Sequence, residues 1–353
     1  MASRQLKFFQ AIREGIDLCL AHDPVVYLMG LGVPDPKGVF GTTLGLQQEY
    51  GSTRVMDMPT SENAMTGVAI GSALAGMRPI LAHQRVDFAL LSIDQIVNQA
   101  AKWHYMFGGK MKIPLVIRMI IGRGWGQGPQ HSQSLQAWFA HVPGLKVVMP
   151  STPYNAKGLL IASVEDNNPV IFIESRWLYN IEGLVPEGLY RVPLGSAHIA
   201  RTGTDLTVVA TSYMVVEALR AAERLAQSGV QVEVVDVQTL KPLDRELILR
   251  SVQKTGRLIV ADTGWVTGGF GAELIALASE EAFESLKCPP RRVGLPDCPV
   301  PSTPGLSRYC YPGAAELIAT AGELLGISTS DLLVPEEASL PSDVPYASFT
   351  GPF

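Results

Sequence analysis

The sequence predicts two successive α/β units, the first doubly wound around a mainly parallel sheet and the second smaller. Three observations point there. Short runs rich in Val, Ile and Leu alternate with longer helical patterns along 353 residues, as strands buried on both faces of a parallel sheet do. The rhythm lapses once, over Ser175–Ala200, where Pro186, Pro193 and several glycines leave no clear period; such segments join domains. Hydrophobic residues make up 47% and charged residues 17%, enough apolar material for two cores and too little charge for a disordered chain.

The elements follow in order. Candidate strands of the first unit are Val25–Met29, Arg54–Met58, Pro79–Ala82, Pro114–Met119, Leu145–Met149 and Pro169–Glu174, with helices at Lys7–Ala21, Glu62–Ala75, Phe88–Tyr105 and Tyr154–Glu165 between them. The second unit reads as strand Leu206–Thr211, helix Met214–Gln227, strand Val230–Val235, helix Asp244–Thr255, strand Leu258–Asp262, helix Gly271–Glu284, strand Arg292–Gly294 and helix Ala314–Leu325. The expected boundaries are 1–185 for the first domain, 186–203 for a linker, 204–327 for the second domain and 328–353 for an extended tail rich in Pro, Ser and Glu.

Composition excludes several functions. A net charge of −5 gives no electrostatic case for nucleic acid or an anionic membrane. The segment Met1–Lys7 lacks the apolar core of a signal peptide, and no run approaches the roughly 18 apolar residues of a membrane span. The cysteines, Cys19, Cys288, Cys298 and Cys310, form no C-x-x-C pair; free thiols in a reducing cytoplasm are expected.

Met58-Pro59-Thr60-Ser61-Glu62-Asn63 joins a strand to a helix, with Thr60 or Ser61 available as a cap. Glu62 therefore stands in the first turn at the carboxyl end of a parallel strand, the edge where open α/β sheets bind ligands. Taken alone, it complements the helix dipole. The same helix carries Gly67, Gly71 and Ala75 at intervals of four, leaving one face nearly bare. Glycine costs about 1 kcal/mol in a helix interior, so another backbone is expected to approach, either within the domain or, the favoured reading, across a subunit interface.

Pro59-Thr60-Ser61-Glu62-Asn63-Ala64-Met65-Thr66-Gly67 resembles the beta-subunit signature of the thiamine diphosphate-dependent decarboxylating component of 2-oxo acid dehydrogenase complexes, of pyruvate, branched-chain and acetoin type. Further similar blocks are Gly76-Met77-Arg78-Pro79-Ile80, Gln130-His131-Ser132-Gln133-Ser134, Phe139-Ala140-His141-Val142-Pro143-Gly144, Ser151-Thr152-Pro153-Tyr154-Asn155 and Leu240-Lys241-Pro242-Leu243-Asp244. The resemblance, over about residues 5 to 327, implies a thiamine diphosphate-binding domain of the pyrimidine type followed by a transketolase C-terminal-like α/β domain. It also implies an α2β2 assembly whose alpha chain holds the diphosphate through Mg²⁺ with a Gly-Asp-Gly motif, which this chain lacks.

By resemblance, Glu62 hydrogen-bonds the aminopyrimidine ring, Phe88 packs against it, and His131 contacts the substrate carboxylate or assists proton transfer. His141 matches the family too, though it precedes Val142-Pro143 and suits a packed structural role equally. Asp166 and Asn168 match a loop that holds a monovalent cation, K⁺, in several relatives; a turn built by Asn167-Asn168-Pro169 is the simpler reading.

The pattern departs from the family at Gly30-Leu31-Gly32, where acidic residues are usual, at Ala82-His83-Gln84-Arg85, and at Asp262-Thr263-Gly264-Trp265. His83, Arg85 and Arg123 are extra cationic donors that suit a phosphate or polyol substrate, unless they face solvent or the partner. Oxidative decarboxylation of a 2-oxo acid with acyl transfer to a lipoyl or acyl-carrier domain is thus the leading expectation. Transketolase-like two-carbon transfer from a ketose phosphate to a carrier protein stands second, and a non-catalytic scaffold third.

Overall fold

A computed structural model of the chain describes residues 3–122 and 127–332. The expected substrate residue Arg123 and the tail beyond 332 lie outside the described residues.

The first sheet has seven strands in the order Thr239–Lys241, Lys146–Val148, Val170–Ser175, Val116–Ile121, Arg78–His83, Val26–Gly30, Val55–Met56. All are parallel except the first, which pairs antiparallel with Lys146–Val148. From Val26–Gly30 the chain leaves toward one edge, and from Arg78–His83 it continues toward the other. The carboxyl ends of these two neighbours therefore flank a topological switch point, the usual ligand crevice of such sheets. Helices cover both faces, so the strands are buried throughout; pleat alternation sends Ile80 and Ala82 into one apolar cluster and Leu81 into the other.

The second sheet has five strands, Arg291–Leu295, Leu258–Trp265, Leu206–Ala210, Val232–Asp236 and His198–Arg201, the last antiparallel. The segment read as structureless linker contributes to both ends of the chain's architecture. His198–Arg201 forms an edge of the second sheet, and Glu182–Pro186 pairs antiparallel with Ser3–Lys7. Sequence periodicity missed them because strands of four or five residues beside Pro and Gly carry too few alternations to register. Thr239–Lys241 was missed for the same reason. It lies among residues of the second unit yet completes the first sheet, so the two units share a ladder.

The helix expected at Phe88–Tyr105 runs from Val86 to Met106 with changing winding: α at Val86–Ala89, 3₁₀ at Leu90–Ser92, π at Gln95–Ala100 and α again at Ala101–Met106. The wide π turn shifts the phase of the helix after Phe88. Among the described residues no helix is long and apolar enough to cross a membrane.

A buried carboxylate is one of the ties between the units. Asp236, at the end of its strand, is 1% exposed and accepts hydrogen bonds from the Ser151 hydroxyl, from Asn155 Nδ2 at 3.3 Å and from the Gln238 backbone at 3.3 Å. The Ser151–Asn155 block thus serves the domain contact, while Thr152 caps the following helix by accepting from Asn155 N at 3.1 Å. Burial raises the Asp236 carboxyl to about 7 from the ordinary 3.8. Because the folded value lies above the unfolded one, stability is greatest below pH 4 as far as this group is concerned, and falls as pH rises toward 7. The Asp236→Asn chain, lacking that ionisation, should gain on the wild type by a few kcal/mol, order of magnitude, between pH 5 and pH 8 in urea titrations. A difference independent of pH would contradict this.

Candidate active site

Glu62 opens the helix Glu62–Leu74 at the carboxyl edge of the first sheet. It is only 5% exposed, and among the described residues no hydrogen bond or ion pair engages its carboxylate. Neither Ser61 nor Thr60 caps the helix with its side chain, contrary to the sequence expectation. One turn on, Thr66 Oγ1 donates to Ser92 Oγ at 2.9 Å, docking this helix against the turn that follows Phe88. The Glu62 oxygens are not among the fully occluded, unpaired polar atoms, so the carboxylate keeps access from outside while the rest of the side chain is buried.

The bare face of the helix packs within the domain only at Gly67, where an added Cβ would meet Gln95 at 3.4 Å. Gly71 and Ala75 are exposed, and a Cβ added at Gly71 would meet nothing within 4 Å. Intramolecular close approach, one of the two sequence readings, therefore does not explain the glycine.

His131 ends a single helical turn, Gly128–His131, secured by Ser132 Oγ donating to Gly128 O at 2.8 Å. Its Nδ1 lies 2.9 Å from Asp87 Oδ2, and its ring centroid lies 5.5 Å from that of Phe88 at 44°. The structure thus brings Phe88 and His131 together. Asp87, the residue that holds His131, was not anticipated; its place directly before Phe88 was the available signal. Asp87 orients the ring through Nδ1, and no hydrogen bond engages Nε2 among the described residues.

The cationic donors separate. His83 is 2% exposed with Nε2 unpaired, and burial drives its pKa down to about 4, so it is a neutral imidazole at working pH. It continues the face of Leu81. Arg85 instead reaches Phe40, 5.8 Å from the ring centroid, and donates to Gln127 Oε1 at 2.7 Å. Phe40 packs against the cluster on the opposite face. The two residues do not act as a joint cationic site.

Sequence reading also passed over the charges at the centre of the sheet. Arg118 Nε and Nη2 meet Glu174 Oε1 and Oε2 at 2.7 and 2.9 Å, and Nη2 also donates to Thr42 Oγ1 at 3.0 Å. Tyr179 Oη donates to Glu174 Oε2 at 2.7 Å. Both charges sit inside apolar strand runs, which was the sign that they pair.

Other expectations resolve simply. The Asp166 carboxylate pairs with Lys146 and accepts Asn168 N at 2.8 Å, while Arg78 Nη1 takes the carbonyls of Val164 and Asp166 at 2.9 and 3.0 Å. These oxygens are thus engaged by cationic side chains and backbone. His141 is exposed and lines an open groove of about 770 Å³ with Trp138, Leu240 and Phe270. At the departure after strand one, Gly32 holds φ +71° and Gln84 Nε2 donates to Leu31 O at 3.0 Å, a neutral contact. Asp262 is not in a solvent turn: it lies buried, accepting from Thr211 Oγ1 at 2.6 Å and Gln136 Nε2 at 2.8 Å, with its pKa raised by burial.

Residues 4–182 match the transketolase pyrimidine-binding domain family and residues 195–317 the transketolase C-terminal domain family. The chain is 45% identical over 329 residues to the beta subunit of acetoin:2,6-dichlorophenolindophenol oxidoreductase from Cupriavidus necator, covering 90% of this chain and 97% of that one. It is 39% identical to the pyruvate dehydrogenase E1 component subunit beta of Rickettsia felis, covering 89% and 96%. The chain belongs to the beta-subunit family of acetoin- and pyruvate-type dehydrogenases. The fold of this beta subunit also matches a solved split-gene transketolase in an inactive beta4 tetramer, with a TM-score of 0.75 at 23% identity, over 91% of this chain and 99% of that one.

Within this beta subunit the Arg118–Glu174 pair is 1% and 0% exposed. Removing one member strands the other charge in the core, so Glu174→Ala should lower unfolding stability by about 3–5 kcal/mol, read as a shift in the urea midpoint. A change under about 1 kcal/mol would show the pair to be dispensable.

Proposed function

We propose that this chain is the aminopyrimidine-activating half of a thiamine diphosphate enzyme that decarboxylates a 2-oxo acid and passes the acyl group to a lipoyl or acyl-carrier domain. The observation that carries this reading is Glu62: a buried carboxylate with no partner among the described residues, at the carboxyl edge of a sheet with the pyrimidine-binding fold. Such a group fits a heterocyclic ring nitrogen, with which it can share a proton in a dry pocket.

Thiamine diphosphate, when bound, supplies a thiazolium carbon that acts as a carbanion. The chain's own residues serve that chemistry. Glu62 holds a proton against the aminopyrimidine nitrogen, Phe88 offers a flat apolar wall, and Asp87 orients His131 so that Nε2 addresses the substrate carboxylate. The diphosphate and its Mg²⁺ fall to an alpha chain, since no Gly-Asp-Gly occurs here. An α2β2 assembly supplies that chain, and the exposed face of Gly71 and Ala75 is a surface for a partner helix. The relatives named as dehydrogenase subunits favour oxidative decarboxylation over two-carbon transfer. Four free cysteines suit a cytoplasmic enzyme.

Two outcomes test the reading. With the alpha chain and cofactor present, Glu62→Ala should reduce kcat for 2-oxo acid turnover by about 10²- to 10⁴-fold without altering the circular dichroism; undiminished turnover would sink the assignment. Gly71→Leu should leave the isolated chain as stable as before, or slightly more so by helix propensity, yet abolish co-elution with the alpha chain on gel filtration. Normal assembly by that variant would remove the partner from this face.

A further inference from the structure

In the segment before Val86–Ala89 the chain buries a guanidinium, that of Arg85, which feels the Asp87 charge but is hydrogen-bonded to no carboxylate among the described residues. Arg85 is 4% exposed; its Nη2 meets only the neutral amide oxygen of Gln127, and its Nη1 is buried with no partner. A second guanidinium, that of Arg176, lies 4.7 Å from the centroid of the Phe40 ring that Arg85 also overlies. Arg118, a third, is matched by Glu174 but keeps Nη1 buried and unbonded. For Arg85 no carboxylate among the described residues plays the part of Glu174; Asp87, two positions on, is turned to His131.

Desolvating an unmatched guanidinium costs several kcal/mol. The crowding is visible in Arg176, which burial, with the nearby Arg85 charge acting the same way, brings down to about 10. A planar fork with a spare donor, next to a second cation, fits one kind of guest: an oxyanion that takes two parallel N–H bonds. Gln127, which holds Arg85, is the residue immediately before the Gly128–His131 turn. Arg85 is therefore tied to the segment that carries His131.

We infer that Arg85, with Arg176 beside it, binds a second anionic group, a carboxylate or phosphate, at the far end of the 2-oxo acid. This rests on the proposed decarboxylase function and narrows it to 2-oxo acids bearing two negative charges. An uncharged tail would leave Arg85 unpaired and is disfavoured.

The assembled alpha–beta enzyme with cofactor is assayed with 2-oxoglutarate and 3-phosphohydroxypyruvate, the carboxylate and phosphate arms, against 2-oxopentanoate. The anionic-to-neutral ratio of kcat/KM should exceed about ten in the wild type and drop by about tenfold or more in Arg85→Gln, chiefly through KM, as loss of a charge-assisted bond implies. Arg85→Lys, which keeps the charge but not the fork, should fall between and guards against misfolding of the first variant. A wild-type preference for the neutral tail, or a ratio unchanged by Arg85→Gln, overturns the inference. So does Arg85→Gln weakening alpha–beta association with the ratio unaltered, since the anion would then be a partner side chain. Should no 2-oxo acid be turned over, the functional reading fails separately. Calorimetry with inorganic phosphate on the full chain then decides: binding lost in Arg85→Gln supports the anion site, and no binding by the wild type refutes it.

Discussion

The arrangement depends on one buried ion pair between neighbouring central strands. Arg118 and Glu174 close a two-point contact where water does not reach, and each would be prohibitively placed without the other. From these strands leave the two loops that matter most. After Ile121 the chain runs through Gly122 toward Gly128–His131, and after Ser175 it carries Arg176 and Tyr179 back over the sheet edge. Thr42 and Tyr179 join the pair by hydrogen bonds, so the segment holding Phe40 is fixed relative to the same centre. The described ends of both loops are therefore anchored on the sheet.

Around this centre the chain divides its charges by purpose. Glu174 is satisfied and structural. Asp87 is half satisfied and orienting, with one oxygen on His131 and the other buried without a partner. Glu62 takes no hydrogen bond on its carboxylate among the described residues, and its oxygens are not fully occluded. This gradation, from paired to unpaired, separates scaffold from site more clearly than residue type does, because native interiors seldom tolerate an orphan polar group that does not serve a function.

The two domains are coupled through backbone as well as side chains. Thr239–Lys241 extends the first sheet from within the second unit, and Asp236 beside it accepts from Ser151 and Asn155. The carboxyl edges of both sheets are thereby held in a fixed relation, with Asp262 and Thr263 across a narrow crevice from Gly122 and Ser175. Family blocks such as Ser151–Asn155 are accounted for by this coupling and not by chemistry.

Sequence alone determined the two-unit α/β plan and the Glu62 helix, because period and motif are local properties that a chain carries in its order of residues. It also flagged the bare helix face, though whether that face packed inward was a question only packing answered, at Gly71. Tertiary structure alone decided the pairing of Arg118 with Glu174, the Asp87–His131 contact and the return of Thr239–Lys241 to the first sheet, since each joins residues distant in sequence or too few to show a period. It parted His83 from Arg85 as well: His83 closes its strand on the face of Leu81, whereas Arg85 stands beyond the strand end, before Val86–Ala89, and turns to Phe40, and the burial that keeps His83 neutral is a property of the folded whole.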